Sequence, residues 1–116
     1  MRPDISDKSY LWDMLDAALA IRQFVEGKTF TDYTSDRILR GAVERHVEII
    51  GEAARNISAV FREKHPEIQW AKIIAQRNVL AHEYGEIKHE RIWEVATVHL
   101  IELINQLKPL IPNTSE

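Results

Sequence analysis

The stretch Ser35-Asp36-Arg37-Ile38-Leu39-Arg40-Gly41-Ala42-Val43-Glu44-Arg45-His46-Val47-Glu48-Ile49-Ile50-Gly51-Glu52-Ala53-Ala54-Arg55-Asn56-Ile57 decides the fold. Leu39, Val43, His46, Ile50, Ala53 and Ile57 recur at alternating steps of four and three, the spacing that returns side chains to one face of a helix and makes a packing seam. Ser35 or Asp36 ahead of the seam is a good N-cap, because a short side-chain oxygen can accept from the orphan N–H groups of the first turn. Gly41 and Gly51 lie inside the predicted helix, where each costs about 1 kcal/mol relative to Ala. Close backbone approach of a neighbouring helix is the expected offset.

Working outward, Tyr10, Leu11, Met14, Leu15, Ala18, Ile21, Phe24 and Val25 recur at three and four. They predict a first helix from Asp7 or Lys8 to Glu26, with Gly27 as its stop. Lys28 to Thr34 reads as a loop whose Phe30 and Tyr33 anchor on the core. Beyond the seam a short segment, Ser58 to Lys64, ends before His65-Pro66, since proline lacks the helical donor and disfavours helix at the residue before it. A further helix runs from about Gln69 to Tyr84 and stops at Gly85; the last runs from about His89 to Leu107 and stops at Pro109. The tail 112–116 is polar and expected to fray. With almost no period-two alternation, little is left to build a sheet. Residues 1–116 are expected to form a single all-α domain, an antiparallel bundle of four to five helices with short connections.

The 116 residues and 45% hydrophobic content suit one core and exclude two domains. Lys+Arg 15 against Asp+Glu 18 leaves a formal net charge of -3, which excludes a blanket basic surface gripping nucleic acid by counterion release. Contact with nucleic acid must come from a local patch. The absence of cysteine removes disulfides, thiolate metal sites and cysteine nucleophiles, and suits a reducing, cytoplasmic setting. No membrane span or secretory segment is expected from the short apolar runs.

Four of the five histidines have ordinary readings. His46 sits on the packing seam, His65 is an exposed residue before proline, His89 lies in an N-terminal turn, and His99 is expected to be partly buried on the last helix. No His-Glu-x-x-His pattern occurs, and the spacing of His82 and His89 supports a metal site only weakly, so no metal and no cofactor are expected. Glu44, Glu48 and Glu52, at steps of four, read as a solvated or salt-bridged helix face rather than as ligands.

The fifth histidine has unusual neighbours: Gln76-Arg77-Asn78-Val79-Leu80-Ala81-His82-Glu83-Tyr84. At about 100° per residue, Arg77 and Tyr84 differ by about 20° and Asn78 and His82 by about 40°. A continuous helix would thus gather a guanidinium, a carboxamide, an imidazole and a phenol near its C-terminus. Arginine is a forked, permanently charged donor suited to phosphate, and histidine titrates near neutrality, so the pair can cleave a phosphodiester without metal. The competing structural reading pairs Arg77 and His82 with acids such as Glu83 or Glu86.

Arg77-x-x-x-x-His82-x-Tyr84 resembles the signature of HEPN-domain proteins of the HepT-like toxin group. The similarity extends to Leu11-Trp12-Asp13-Met14-Leu15, the loop from Gly27 to Tyr33, Glu48-Ile49-Ile50-Gly51-Glu52-Ala53-Ala54, His65-Pro66-Glu67-Ile68-x-Trp70 and Ile92-Trp93-Glu94, covering most of residues 8–108. The motif's fixed positions are all kept, with Glu83 adding a negative charge beside the phosphate site. The resemblance implies a homodimeric helical bundle and a metal-independent ribonuclease that uses Arg77 and His82, with Asn78 in support. It also implies a toxin role in a type II pair with a minimal nucleotidyltransferase (MNT) antitoxin that adenylylates Tyr84. A non-catalytic HEPN partner of such a nucleotidyltransferase is the alternative; a helical oligomerisation domain with structural Arg77 and His82 is the third reading.

Overall fold

The computed structural model describes residues 3–111, with side chains from Asp7 onward; the tail 112–116 lies outside the described residues. Among the described residues the chain is all helical, with no strand. The helices are α1 (Pro3–Val25), α2 (Phe30–Ser35), α3 (Arg37–Asn56), α4 (Ala59–Lys64), α5 (Trp70–His82), α6 (Gly85–Glu94) and α7 (Leu100–Leu107). A π turn, Val95–His99, joins α6 to α7, and a 3-10 turn, Lys108–Leu110, carries Pro109 past the end of α7.

The seam of α3 is buried at Leu39, Val43, Val47, Ile50, Ala53 and Ala54, and Asp36 caps the helix by accepting from the Leu39 N–H at 3.0 Å. Val47, not His46, fills the central seam position. His46 is half-buried beside it, its Nδ1 2.8 Å from the Ala42 carbonyl and its ring edge-on to Phe24. Against this face α1 buries Leu11, Met14, Leu15, Ala17, Ala18, Ile21 and Val25. The other side of α1 is covered by α7, whose Leu100, Leu103, Ile104 and Leu107 are buried, and by the π turn, where Arg22 donates to the Ala96 carbonyl at 3.0 Å.

Several boundaries differ from the sequence expectation. α1 begins at Pro3, where the missing N–H of proline costs nothing in a first turn. The loop expected at Lys28 to Thr34 contains α2, held by a capping box: Thr29 Oγ1 accepts from the Asp32 N–H and Asp32 accepts from the Thr29 N–H. That backbone hydrogen bond holds the Asp32 carboxyl below its ordinary range. α2 drops Tyr33 into the core, fully buried against Trp93 and His89. Burial pushes the Tyr33 phenol upward, and Glu44 adds to the shift.

The short α4 is as expected, capped by Ser58 and ended at His65-Pro66. Asp7, buried in α1, accepts from both the N–H and the hydroxyl of Ser58 at 2.8 Å, which ties the start of α4 to α1. The largest correction falls on the last two helices. α5 ends at His82 instead of Tyr84, and Gly85, with φ 58°, opens α6 instead of closing α5. No helix among the described residues is long and apolar enough to cross a membrane.

Candidate active site

The chemistry-bearing side chains sit on α5 and at its C-terminal end. Trp70 starts the helix by burying its ring while Nε1 donates to the His65 carbonyl at 2.9 Å. From there α5 lies along α3, and the two come close at Gly51: a Cβ there would stand 3.0 Å from Arg77 Cγ and 3.4 Å from the Ile73 carbonyl oxygen. Gly51 thus repays its helix cost as expected. Gly41 does not, since nothing lies within 4 Å of a Cβ built on it.

Arg77 crosses this contact and places Nη1 2.9 Å from Glu52 Oε1 on α3. The acids expected to pair with it, Glu83 and Glu86, form no ion pair among the described residues; both follow the end of α5, whereas Glu52 is set beside Arg77 by the α3–α5 contact. Asn78, the next residue, is exposed. His82 is the last residue of α5, exposed, its imidazole making no hydrogen bond or ion pair to another described residue. Asn78 and His82 therefore share a helix face four residues apart. The companion stripe from Arg77 to Tyr84 does not form, because Glu83 (ψ 153°) and Tyr84 (φ -134°, ψ 156°) are extended. Tyr84 is 80% exposed and caps nothing on the core.

Arg77 and Asn78 open into a groove of about 1220 Å³ between α3, α4 and α5. Four arginines line it, Arg45, Arg55, Arg62 and Arg77, together with Glu44, Glu48 and Glu63. Arg55 and Arg62 have no carboxylate partner within ion-pair distance among the described residues, and Arg62 Nε is buried without a hydrogen bond. The stripe Glu44, Glu48, Glu52 is salt-bridged as read, to Lys88 at 3.3 Å, Arg45 at 3.1 Å and Arg77 at 2.9 Å.

The remaining histidines separate from the site. His65 is half-buried, stacked near Phe61 and 3.3 Å from Glu67. His89 and His99 exchange their expected roles: His89 is half-buried against Tyr33 with Nδ1 unpartnered, while His99 is exposed, 3.9 Å from Glu94. The π turn shifts the phase of the last helix, and a single unbroken helix from His89 would not contain that shift. Among the described residues no three His, Asp or Glu side chains cluster as a metal site. Sequence reasoning missed the link from Gly51 and Glu52 to Arg77. Its only signal was a helix-interior glycine followed by an acid.

The model of a family described as Ribonuclease HepT-like matches residues 14–110. Similar proteins include "Putative RNase TTE0752" of Caldanaerobacter subterraneus subsp. tengcongensis, 36% identical over 104 residues, 90% of this chain and 93% of the relative. "Probable ribonuclease HepT" of Thermococcus cleftensis is 33% identical over 105 residues, 90% of this chain and 96% of the relative. The likeness to "Gamma-glutamylcyclotransferase and putative RNase MJ0434" of Methanocaldococcus jannaschii, 33% identical, takes in 92% of this chain but 47% of that protein. No solved structure matches the chain.

Proposed function

The chain belongs to the HepT-like ribonuclease family, and from that premise we propose that it is a metal-independent endoribonuclease acting through Arg77 and His82. The observation that carries the reading is the exposed His82, unpartnered and on one face with Asn78, at the end of the helix that bears Arg77. In this mechanism the His82 imidazole takes the proton of a ribose 2′-hydroxyl. The 2′-oxygen attacks the adjacent phosphorus, the bond to the 5′-oxygen breaks, and a 2′,3′-cyclic phosphate remains. Arg77 donates to the phosphate oxygens as charge develops on them, and Asn78 supports the bound phosphate.

One imidazole cannot serve as base and as acid to the leaving 5′-oxygen at the same moment, and a two-fold related copy would supply the second. The open outer face of α5, with Ala71, Ile74 and Ala75 lining the groove, supports a homodimer with a composite cleft. Sedimentation showing only a 13.5 kDa species that cleaves RNA would exclude the shared site. The same reading makes the chain the cytoplasmic toxin of a type II pair, silenced when an MNT-type nucleotidyltransferase adenylylates Tyr84.

The test is incubation of wild type and His82→Ala with total RNA in EDTA. Wild type should release products ending in 2′,3′-cyclic phosphate, and the variant should be roughly a hundred- to a thousandfold slower. A strict magnesium requirement would move the chemistry to other residues. RNA left intact by the wild type would favour the non-catalytic partner of a nucleotidyltransferase.

A further inference from the structure

We infer that Gly51 and Glu52 of α3 form a seat for the Arg77 guanidinium, with Glu52 as a positioning residue for RNA cleavage; the inference rests on the assignment of Arg77 to the reaction. Two independent observations meet at this point. The missing side chain of Gly51 lets the Arg77 stem cross α3 at a distance that a Cβ would reduce to 3.0 Å. The Glu52 carboxylate then meets one terminal nitrogen, Nη1, at 2.9 Å. An arginine side chain is long and loses much rotamer freedom when it is fixed. Contact at the stem and at one corner of the fork fixes it before substrate arrives. A guanidinium has five N–H donors, so one carboxylate at one corner leaves donors over for a phosphate.

The seat contributes little to the fold. The Glu52 side chain is 53% exposed and that of Arg77 35%, and an ion pair in that setting is largely screened by water. Its value lies in orientation, which a reaction feels sharply: a misplacement of about 1 Å can cost on the order of a hundredfold in rate. Glu52 also opposes ground-state binding, because a carboxylate beside the arginine repels the RNA backbone. Removing its charge therefore weakens the transition state without weakening substrate binding.

The experiment compares Glu52→Gln, Gly51→Ala and Arg77→Ala for kcat, KM and thermal unfolding on one RNA substrate. Glu52→Gln should lower kcat by about tenfold to a hundredfold, leave the melting temperature unchanged, and leave KM unchanged or lower. Gly51→Ala should also lower kcat, because the new methyl displaces the Arg77 stem, while the melting temperature stays near wild type as the better helix former offsets the crowding against that stem. Added to Arg77→Ala, it should cost no further activity. If Arg77→Ala abolishes cleavage while Glu52→Gln and Gly51→Ala cleave like wild type, the seat is refuted and the assignment of Arg77 stands. A rise in KM with kcat intact would make Glu52 a substrate-binding group and also refute the positioning role. Full activity in Arg77→Ala would overturn the assignment of Arg77 itself, and the seat with it.

Discussion

α1 and α5 both lie along α3, yet they are different kinds of helix. α1 buries seven apolar side chains between Leu11 and Val25 and is covered again by α7. α5 buries only Trp70; Ile73, Ile74, Arg77, Val79 and Leu80 are half-buried, and Asn78 and His82 are exposed. One face of α3 thus supports the fold, and another carries the helix of the candidate site. Stability and activity should therefore separate cleanly between the two flanking helices.

The largest effect should come from the buried helix. Met14 is fully buried between α1 and its neighbours, so Met14→Ala should lose about 2–5 kcal/mol of stability in urea unfolding through lost transfer energy and a residual cavity. Ile74→Ala, on the groove side of α5, removes area that is only partly buried and should lose about 1 kcal/mol. Equal losses at the two positions would break the contrast between the helices. In His82→Ala the profile should invert, with about 2.7–4 kcal/mol lost from transition-state stabilisation and no more than about 0.5 kcal/mol from the fold. Initial rates and a urea curve on the same preparation check both.

The difference between the two sides also explains what could be read from sequence. On α1 and α3 the buried residues repeat with the helical period, so Leu11, Met14, Ile21, Val43 and Ile50 declare themselves, and so do the stops at Gly27 and Pro66. The candidate site is legible as residue types, since Arg77, Asn78 and His82 stand out by chemistry and spacing. Its geometry was not legible beyond His82. A glycine after a helical run signals both an end and a beginning, and Gly85 has the left-handed φ of a helix stop yet starts α6. Tyr84 was therefore placed on a helix that had already ended. The partner of Arg77 was hidden for another reason: Glu52 lies 25 positions upstream, and only the packing of two helices across Gly51 brings them together.

A smaller effect tests how the two sides are joined. Ser58 caps α4 by accepting from the Phe61 N–H at 3.1 Å, and its hydroxyl donates to the buried Asp7 of α1 at 2.8 Å. α4 in turn supplies Ala59, Arg62 and Glu63 to the groove wall. Ser58→Ala should lose about 2 kcal/mol of stability, the helix cap together with the hydrogen bond to the buried Asp7 carboxylate, while cleavage of RNA at 25 °C stays near wild type. A loss of activity as large as that of His82→Ala would mean that the groove wall and the site are mechanically coupled, and the separation between the helices would fail.

The smallest effect on the folded chain should come from Tyr84, on the exposed connection between α5 and α6. Its side chain is 80% exposed on extended backbone between α5 and α6, so Tyr84→Phe removes a hydroxyl that meets only water. Stability and basal RNA cleavage should both match wild type within error. The phenol is nevertheless two residues from His82 and open to another enzyme. An adenylyl group on it would add about one negative charge and a bulky nucleoside two residues from His82, repelling the RNA backbone. Co-expression with a minimal nucleotidyltransferase and ATP should therefore add adenylate to the peptide containing Tyr84 and stop cleavage, and Tyr84→Phe should escape both. No mass gain on that peptide, or equal inhibition of the Phe variant, would remove the switch and leave Tyr84 as a surface residue of the connection between the two helices.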